Sequence, residues 1–236
     1  DSIDADGDTA FTVKGPVWAV AGDTKINAAS AVFTGVDEQG DGSVVIGSLD
    51  VDAIMAGSDQ VTVTVENASM KDLRIPAEGE TDPLKKVMWY SRFETGRGSI
   101  VTNGQEVASM GSTVATVSPY SATEPVTIKA DMSDITFDLT SVPEPKFKQG
   151  LADMGYDGKF TGRLVMSGDW SGSSGIFNLA QYDIVVDNVG TLSFPLTMSG
   201  YTAEKMVAMQ EKAAELNNMT DTAARDQASL EMMQDF

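Results

Sequence analysis

The stretch VTIKADMSDITFDLTSVP, Val126 to Pro143, decides the fold class. Val126, Ile128, Ala130 and Met132 alternate with Thr127, Lys129 and Asp131. Side chains of an extended chain point to opposite faces with a period of two, so this alternation marks a strand with one oily and one wet face. At Ser133-Asp134 the apolar parity shifts, and apolar residues then resume as far as Pro143. A parity shift is what a β-bulge produces, and bulges bend and twist strands.

The pattern has a weak counterpart upstream. VTVTVENASMKDLRIP, Val61 to Pro76, opens with the same valine-threonine alternation. It passes a polar step at Asn67 to Ser69 and also ends at proline. The two segments, 61–76 and 126–143, read as an internal repeat. A third alternation, GTLSFPLTMSG at 190–200, places Leu192, Phe194, Leu196 and Met198 on one side. Pro195 has no N–H to donate, which puts that strand at an edge or a bulge.

Working outward, ten alternating runs lie between residues 10 and 199: 10–20, 25–36, 43–52, 60–75, 97–103, 106–117, 125–141, 159–168, 174–187 and 190–199. One-sided alternation favours antiparallel pairing with one face in water. Asn103-Gly104 suits a two-residue type I′ hairpin. Asp82-Pro83 is placed to open a short helix, and the segment before Gly155 reads as another. The expected fold is mainly β: a long curved antiparallel sheet, a meander with bulges, plus a C-terminal helical segment. Residues 1–10 read as a loose acidic lead-in, 11–200 as the β domain and 201–236 as the helical segment. Thr202 is the expected cap of the first helix, with Met206, Met209, Ala213 and Leu216 on one stripe. The helical pattern at the end of the sequence reads as a mature or partial chain.

Composition narrows function. The 236 residues include 16 Lys+Arg against 35 Asp+Glu, a net charge of -19. Nucleic-acid binding needs a basic footprint, which is missing here. Charge-driven docking on an anionic membrane is disfavoured by the same imbalance. No run reaches the roughly 18 apolar residues of a membrane-spanning helix. With no cysteine and no histidine, thiolate chemistry, serine-histidine triads and histidine metal sites are excluded within this chain. The carboxylates suffice for glycoside-type hydrolysis, but no pair stands out. The expectation is a non-enzymatic protein without a cofactor. Its alternatives are an adhesive or structural surface module and, third, a carboxylate-based hydrolase.

Asp4, Asp6 and Asp8 form an acidic turn with weak calcium-site character. A full EF-hand loop fails there, because the twelfth position, where a bidentate Glu is needed, is Val13. The candidate ligand or partner surface comprises Trp89, Tyr90 and Phe93, Trp170, then Leu192, Phe194, Leu196 and Met198, and finally Met206 and Met209. Aromatic rings and flexible methionines suit adaptable apolar contacts. The partner expected there is a hydrophobic, lipid-like ligand or another protein, with the oligomeric state open.

Gly155-Tyr156, Trp170, Gly190-Thr191-Leu192 and Gly200 fall in an order that resembles β-rich envelope proteins of Gram-negative proteobacteria, loosely the repeats of AsmA-type proteins. The resemblance covers about residues 151–210. It implies a periplasmic or extracellular location, a curved sheet with an apolar concave face, and lipid handling.

Overall fold

The computed structural model describes residues 2–5, 9–19, 25–57, 60–82, 85–119, 124–138, 145–153 and 158–218, with 140, 155 and 228. The first strands are β1 (Ser2–Ala5), β2 (Ala10–Lys14), β3 (Val17–Ala19), β4 (Lys25–Asn27), β5 (Ser30–Glu38), β6 (Val44–Gly57) and β7 (Val61–Ile75). Next come β8 (Arg92–Thr95), β9 (Gly98–Thr102), β10 (Gln105–Met110), β11 (Thr113–Val117) and β12 (Val126–Asp138). Helix α1 (Pro145–Asp153), β13 (Lys159–Ser171), β14 (Ile176–Val186), β15 (Gly190–Ser193), β16 (Leu196–Met198) and helix α2 (Ala203–Asn218) follow.

All sixteen strands form one antiparallel sheet. β8 and β9 are two halves of one line along β7, and β10 and β11 are two halves of one line along β12. From β5 onward the sheet is therefore a meander in which each line pairs with its neighbours in sequence. The β9–β10 turn carries positive φ at both Asn103 (52°) and Gly104 (79°), as a type I′ hairpin requires. At the free edge, Phe194-Pro195 separates β15 from β16.

Directly paired residues of adjacent antiparallel strands project to the same face. One row across the sheet reads Phe11, Phe33, Leu49, Met70, Phe93, Ala115, Ala130, Met166, Tyr182. The next reads Val13, Ala31, Val51, Ala68, Thr95, Thr113, Met132, Leu164, Ile184, Leu192. Between them, on the reverse face, lie Thr12, Val32, Asp50, Ser69, Glu94, Val114, Asp131, Val165, Asp183 and Ser193. The strand-by-strand alternation thus sums to one continuous apolar face and one wet face.

A crease crosses this sheet. β13 alternates without a break, so Phe160, Gly162 and Leu164 share a face, opposite Phe137, Ile135 and Met132 of β12. In β12 two residues, Ser133-Asp134, therefore separate same-face positions where one is normal, and Asp134 has φ 48°. The step recurs at the same level in neighbouring lines. Gly111 N–H donates to Ser133 O at 2.9 Å, and Gly96 N–H to Asn67 O at 3.0 Å. The bulge at Ser133-Asp134 is where the sequence pattern places it. In β7 the step is Glu66-Asn67, just before the expected Asn67 to Ser69.

Few side chains are fully enclosed. Among the described residues the buried apolar ones include Ala31, Ile46, Leu73, Val126, Leu179, Ala203 and Val207. The chain exposes 14365 Å², whereas a compact chain of 25.0 kDa exposes about 10,000 Å². Much of the apolar face is accordingly only half covered.

Three local expectations are corrected. Ser2–Ala5 is not a loose lead-in but a strand paired with β2, because Ile3 and Val13 fall in register. In place of the short helix expected from Asp82-Pro83, Lys85 and Lys86 N–H both donate to Asp82 O at 3.0 Å and residues 85–90 are not helical; residues 83 and 84 lie outside the described residues. Arg92–Thr95, containing Phe93, is a strand that the alternation did not reveal. The expected helix before Gly155 forms as α1, and Gly155 (φ 87°) follows its end. Of the helical segment, α2 is described; residues 219–236 lie outside the described residues apart from 228.

Candidate functional site

Two apolar rows at one end of the sheet run through the candidate site, whose floor is the part made by Trp170, Phe177, Met198, Val117 and Ile128. Val126, Trp170, Phe177 and Met198 form one. Val117, Ile128, Gly168, Leu179 and Leu196 form the other. Helix α2 lies across this end. Thr202 caps it as expected, its Oγ1 accepting from Lys205 N–H at 3.3 Å. The β13–β14 turn grips the approach to the helix: Tyr201 N–H donates to Gly175 O at 2.9 Å and Ala203 N–H to Gly172 O at 3.0 Å. Ala203 and Val207 are buried. Lys86 pairs with Glu211 at 3.4 Å, tying the segment before β8 to the helix. The expected stripe holds for Met206 and Met209, whereas Ala213 is exposed.

Between helix and sheet lies a cavity of about 540 Å³. Its lining is Val87, Met88, Trp89, Tyr90, Val117, Ile128, Trp170, Phe177, Met198, Tyr201, Met206 and Met209. No side chain in this set carries a charge. Trp170 Nε1 donates to Tyr201 O at 2.7 Å and Trp89 Nε1 to Ser118 O at 3.3 Å. Both indole N–H groups are thus satisfied by backbone. The volume falls in the range of small-molecule sites, which are typically apolar and about 300–1,000 Å³.

Six residues named from sequence therefore converge here: Trp89, Tyr90, Trp170, Met198, Met206 and Met209. The others do not. Phe93 sits in β8 one row away, its ring edge-on to Tyr90 at 6.3 Å. Leu192, Phe194 and Leu196 line the free edge, with Leu192 60% exposed. Phe194 packs on Tyr182 with ring centroids 4.8 Å apart. Val87, Met88, Val117, Ile128, Phe177 and Tyr201 were not singled out from sequence. Ile128 already stood in an alternating run, but which runs become neighbours is a property of pairing, not of any one segment.

Val87 and Trp89 also border an adjoining space of about 440 Å³, lined further by Val45, Asp72, Arg74, Lys85, Ser91 and Pro119. Arg74 pairs with Asp41 at 3.1 Å. Hydrogen bonds from Ser43, then the Arg74 charge, hold the Asp41 carboxyl below its ordinary value. Ser91 Oγ donates to Asp72 at 2.5 Å.

Of the acidic turn, Asp4 lies in β1 opposite Thr12, an extended position and not a loop. Asp6 and Asp8 lie outside the described residues. Among the described residues no group of three or more metal-binding side chains is gathered, and no helix is long and apolar enough to cross a membrane.

The class defined by these features is an antiparallel meander with one apolar face and a helix laid over an apolar cavity at one end. In comparisons with known proteins, no family model, curated protein or solved structure matches the chain.

Proposed function

We propose that this chain is a non-enzymatic binding protein that takes a hydrophobic, lipid-like ligand into the cavity beneath α2. The observation that carries the reading is the lining itself: twelve apolar or aromatic side chains around about 540 Å³, with both indole N–H groups turned to backbone. Such a space excludes charged groups, whose desolvation it does not repay, and holds apolar surface at about 25 cal/mol per Å². The lining offers no carboxylate and no lysine for proton transfer, which favours carriage or sensing over catalysis. The resemblance to envelope proteins is the support for a periplasmic or extracellular location.

The test is native mass spectrometry of the chain purified from a Gram-negative host, followed by solvent extraction and lipid analysis. A one-to-one adduct that extracts as lipid is the expected result. A bare mass, together with intrinsic fluorescence that no apolar compound alters, would overturn the reading.

A protein partner is a second reading, supported at the opposite end of the same face. There Trp18, Ile26, Ala56, Val63, Ile100, Ala108 and Phe137 form a further row. Trp18 and Phe137 are 41% and 47% exposed. Exposed apolar patches of this kind commonly mark interaction surfaces. Cross-linking at Phe137 in cells distinguishes it from the ligand reading.

A further inference from the structure

We propose that the ligand is a single-chain amphiphile with an anionic head, its tail under α2 and its head in the adjoining space beside Lys85 and Arg74. This rests on the reading of the α2 cavity as a ligand site. The tail space has no charged group in its lining, so a polar head must lie outside it. Val87 and Trp89 wall both spaces, which makes the second a polar neighbour of the first.

The sign of the head follows from the lining. Across the chain, acids outnumber cations 35 to 16. Around the adjoining space the ratio inverts: Arg74 and Lys85 stand against Asp72 alone, and Asp72 already accepts the Ser91 hydroxyl. Arg74 is shared with Asp41, and neighbouring Lys86 is engaged by Glu211. Lys85 has no ion-pair partner among the described residues and is the cation open to a ligand. A carboxylate or phosphate there gains charge-assisted hydrogen bonds, whereas an ammonium meets like charge. Taking a methylene as ~30 Å³, the share of a liquid water molecule, the tail space of about 540 Å³ matches one chain of roughly 18 carbons.

The experiment titrates the full chain with tetradecanoate, tetradecyl phosphate, tetradecanol and tetradecyltrimethylammonium, reading tryptophan fluorescence and native mass. The anionic compounds are expected to bind at least tenfold more tightly than the alcohol, and the ammonium most weakly. The better of the two anions identifies the head. Lys85→Gln, at an exposed position, should remove most of that preference, bringing the anions to within a few-fold of tetradecanol, with far-ultraviolet circular dichroism as the check on folding. Equal binding of acid and alcohol, or a preference that survives both Lys85→Gln and Arg74→Gln, overturns the proposal while the cavity remains a ligand site. If none of the four compounds binds, the cavity reading itself fails and this proposal fails with it.

Discussion

Trp170 and Tyr201 are joined by a 2.7 Å hydrogen bond from the indole Nε1 to the backbone carbonyl. The bond links β13, in the floor of the cavity, to the residue that leads into the helix above it. Trp170→Phe keeps an aromatic ring there but leaves the Tyr201 carbonyl without its donor. The expected cost is about 1 kcal/mol, concentrated on the helix. Hydrogen exchange should accelerate over 203–209 more than over β6 and β7. Uniform acceleration across the chain would mean that the bond supports the sheet and not the docking of α2.

Filling the cavity should abolish binding without unfolding the sheet. Val117 lines it from β11, paired with Ile128. Val117→Phe projects a ring into open space, so little overpacking strain is expected. Affinity for an apolar ligand should fall at least tenfold, about 1.4 kcal/mol, with far-ultraviolet circular dichroism unchanged. Phe137→Ser, on the other side of the crease, should leave that affinity as it is.

The edge strand answers a question that its own sequence raises. Leu192 and Leu196 share a face with the apolar rows, yet they are 60% and 44% exposed. Leu192→Ser and Leu196→Ser should therefore change stability by no more than about 0.5 kcal/mol each, as surface substitutions do. A buried leucine would cost about 2–5 kcal/mol on similar truncation. Thermal melting separates the two cases.

These residues also show what local sequence can convey. Alternation and turn residues in single segments reveal the long strands, the bulge at Ser133-Asp134, the Asn103-Gly104 hairpin and the edge position of the Pro195 segment, because each depends on nearby residues; the split of 190–199 into β15 and β16 is not among them. The rows from Phe11 to Tyr182 and from Val13 to Leu192 were not legible, since register is set between strands and one slipped residue reverses every face. Trp89, Trp170 and Met206 come from three distant segments, and no one segment carries the information that the three meet. Their meeting depends on how the β13–β14 turn receives α2. Phe93 was hidden because Gly96-Arg97 interrupts its line, leaving a four-residue strand too short for alternation to show.

That turn supplies another test. Gly175 has φ 69°, and a Cβ built there would stand 2.8 Å from Thr202 N. Gly175→Ala thus combines left-handed strain of about 1–2 kcal/mol with a clash against backbone that cannot rotate away. It should loosen α2 and lower ligand affinity together. Gly40→Ala, where the added carbon meets nothing within 4 Å, is the control and should be near neutral. Equal melting temperatures for the two variants would show that α2 docks independently of this turn.

Acid should weaken the sheet through its paired carboxylates. Arg97, in the crease step between β8 and β9, donates from Nη2 to both carboxylate oxygens of Glu106 at 2.7 Å. That hydrogen bonding holds the Glu106 pKa below its ordinary 4.5. The Ser193 hydroxyl, then Gln181, lowers Asp183 in the same direction. A carboxyl whose folded pKa lies below its unfolded one contributes fully above the unfolded value and loses its contribution as pH falls through the folded one. Stability should therefore be flat on this account at about pH 6 and decline below about pH 4.5. Protonation also relieves the repulsion of an acidic chain, so the clean comparison is between variants. Glu106→Gln should cost less than about 1 kcal/mol near neutrality, as an exposed pair does, and should shrink the melting-temperature difference between about pH 6 and about pH 3.5. An unchanged difference would show that Arg97 holds Glu106 no more firmly in the folded chain than water does.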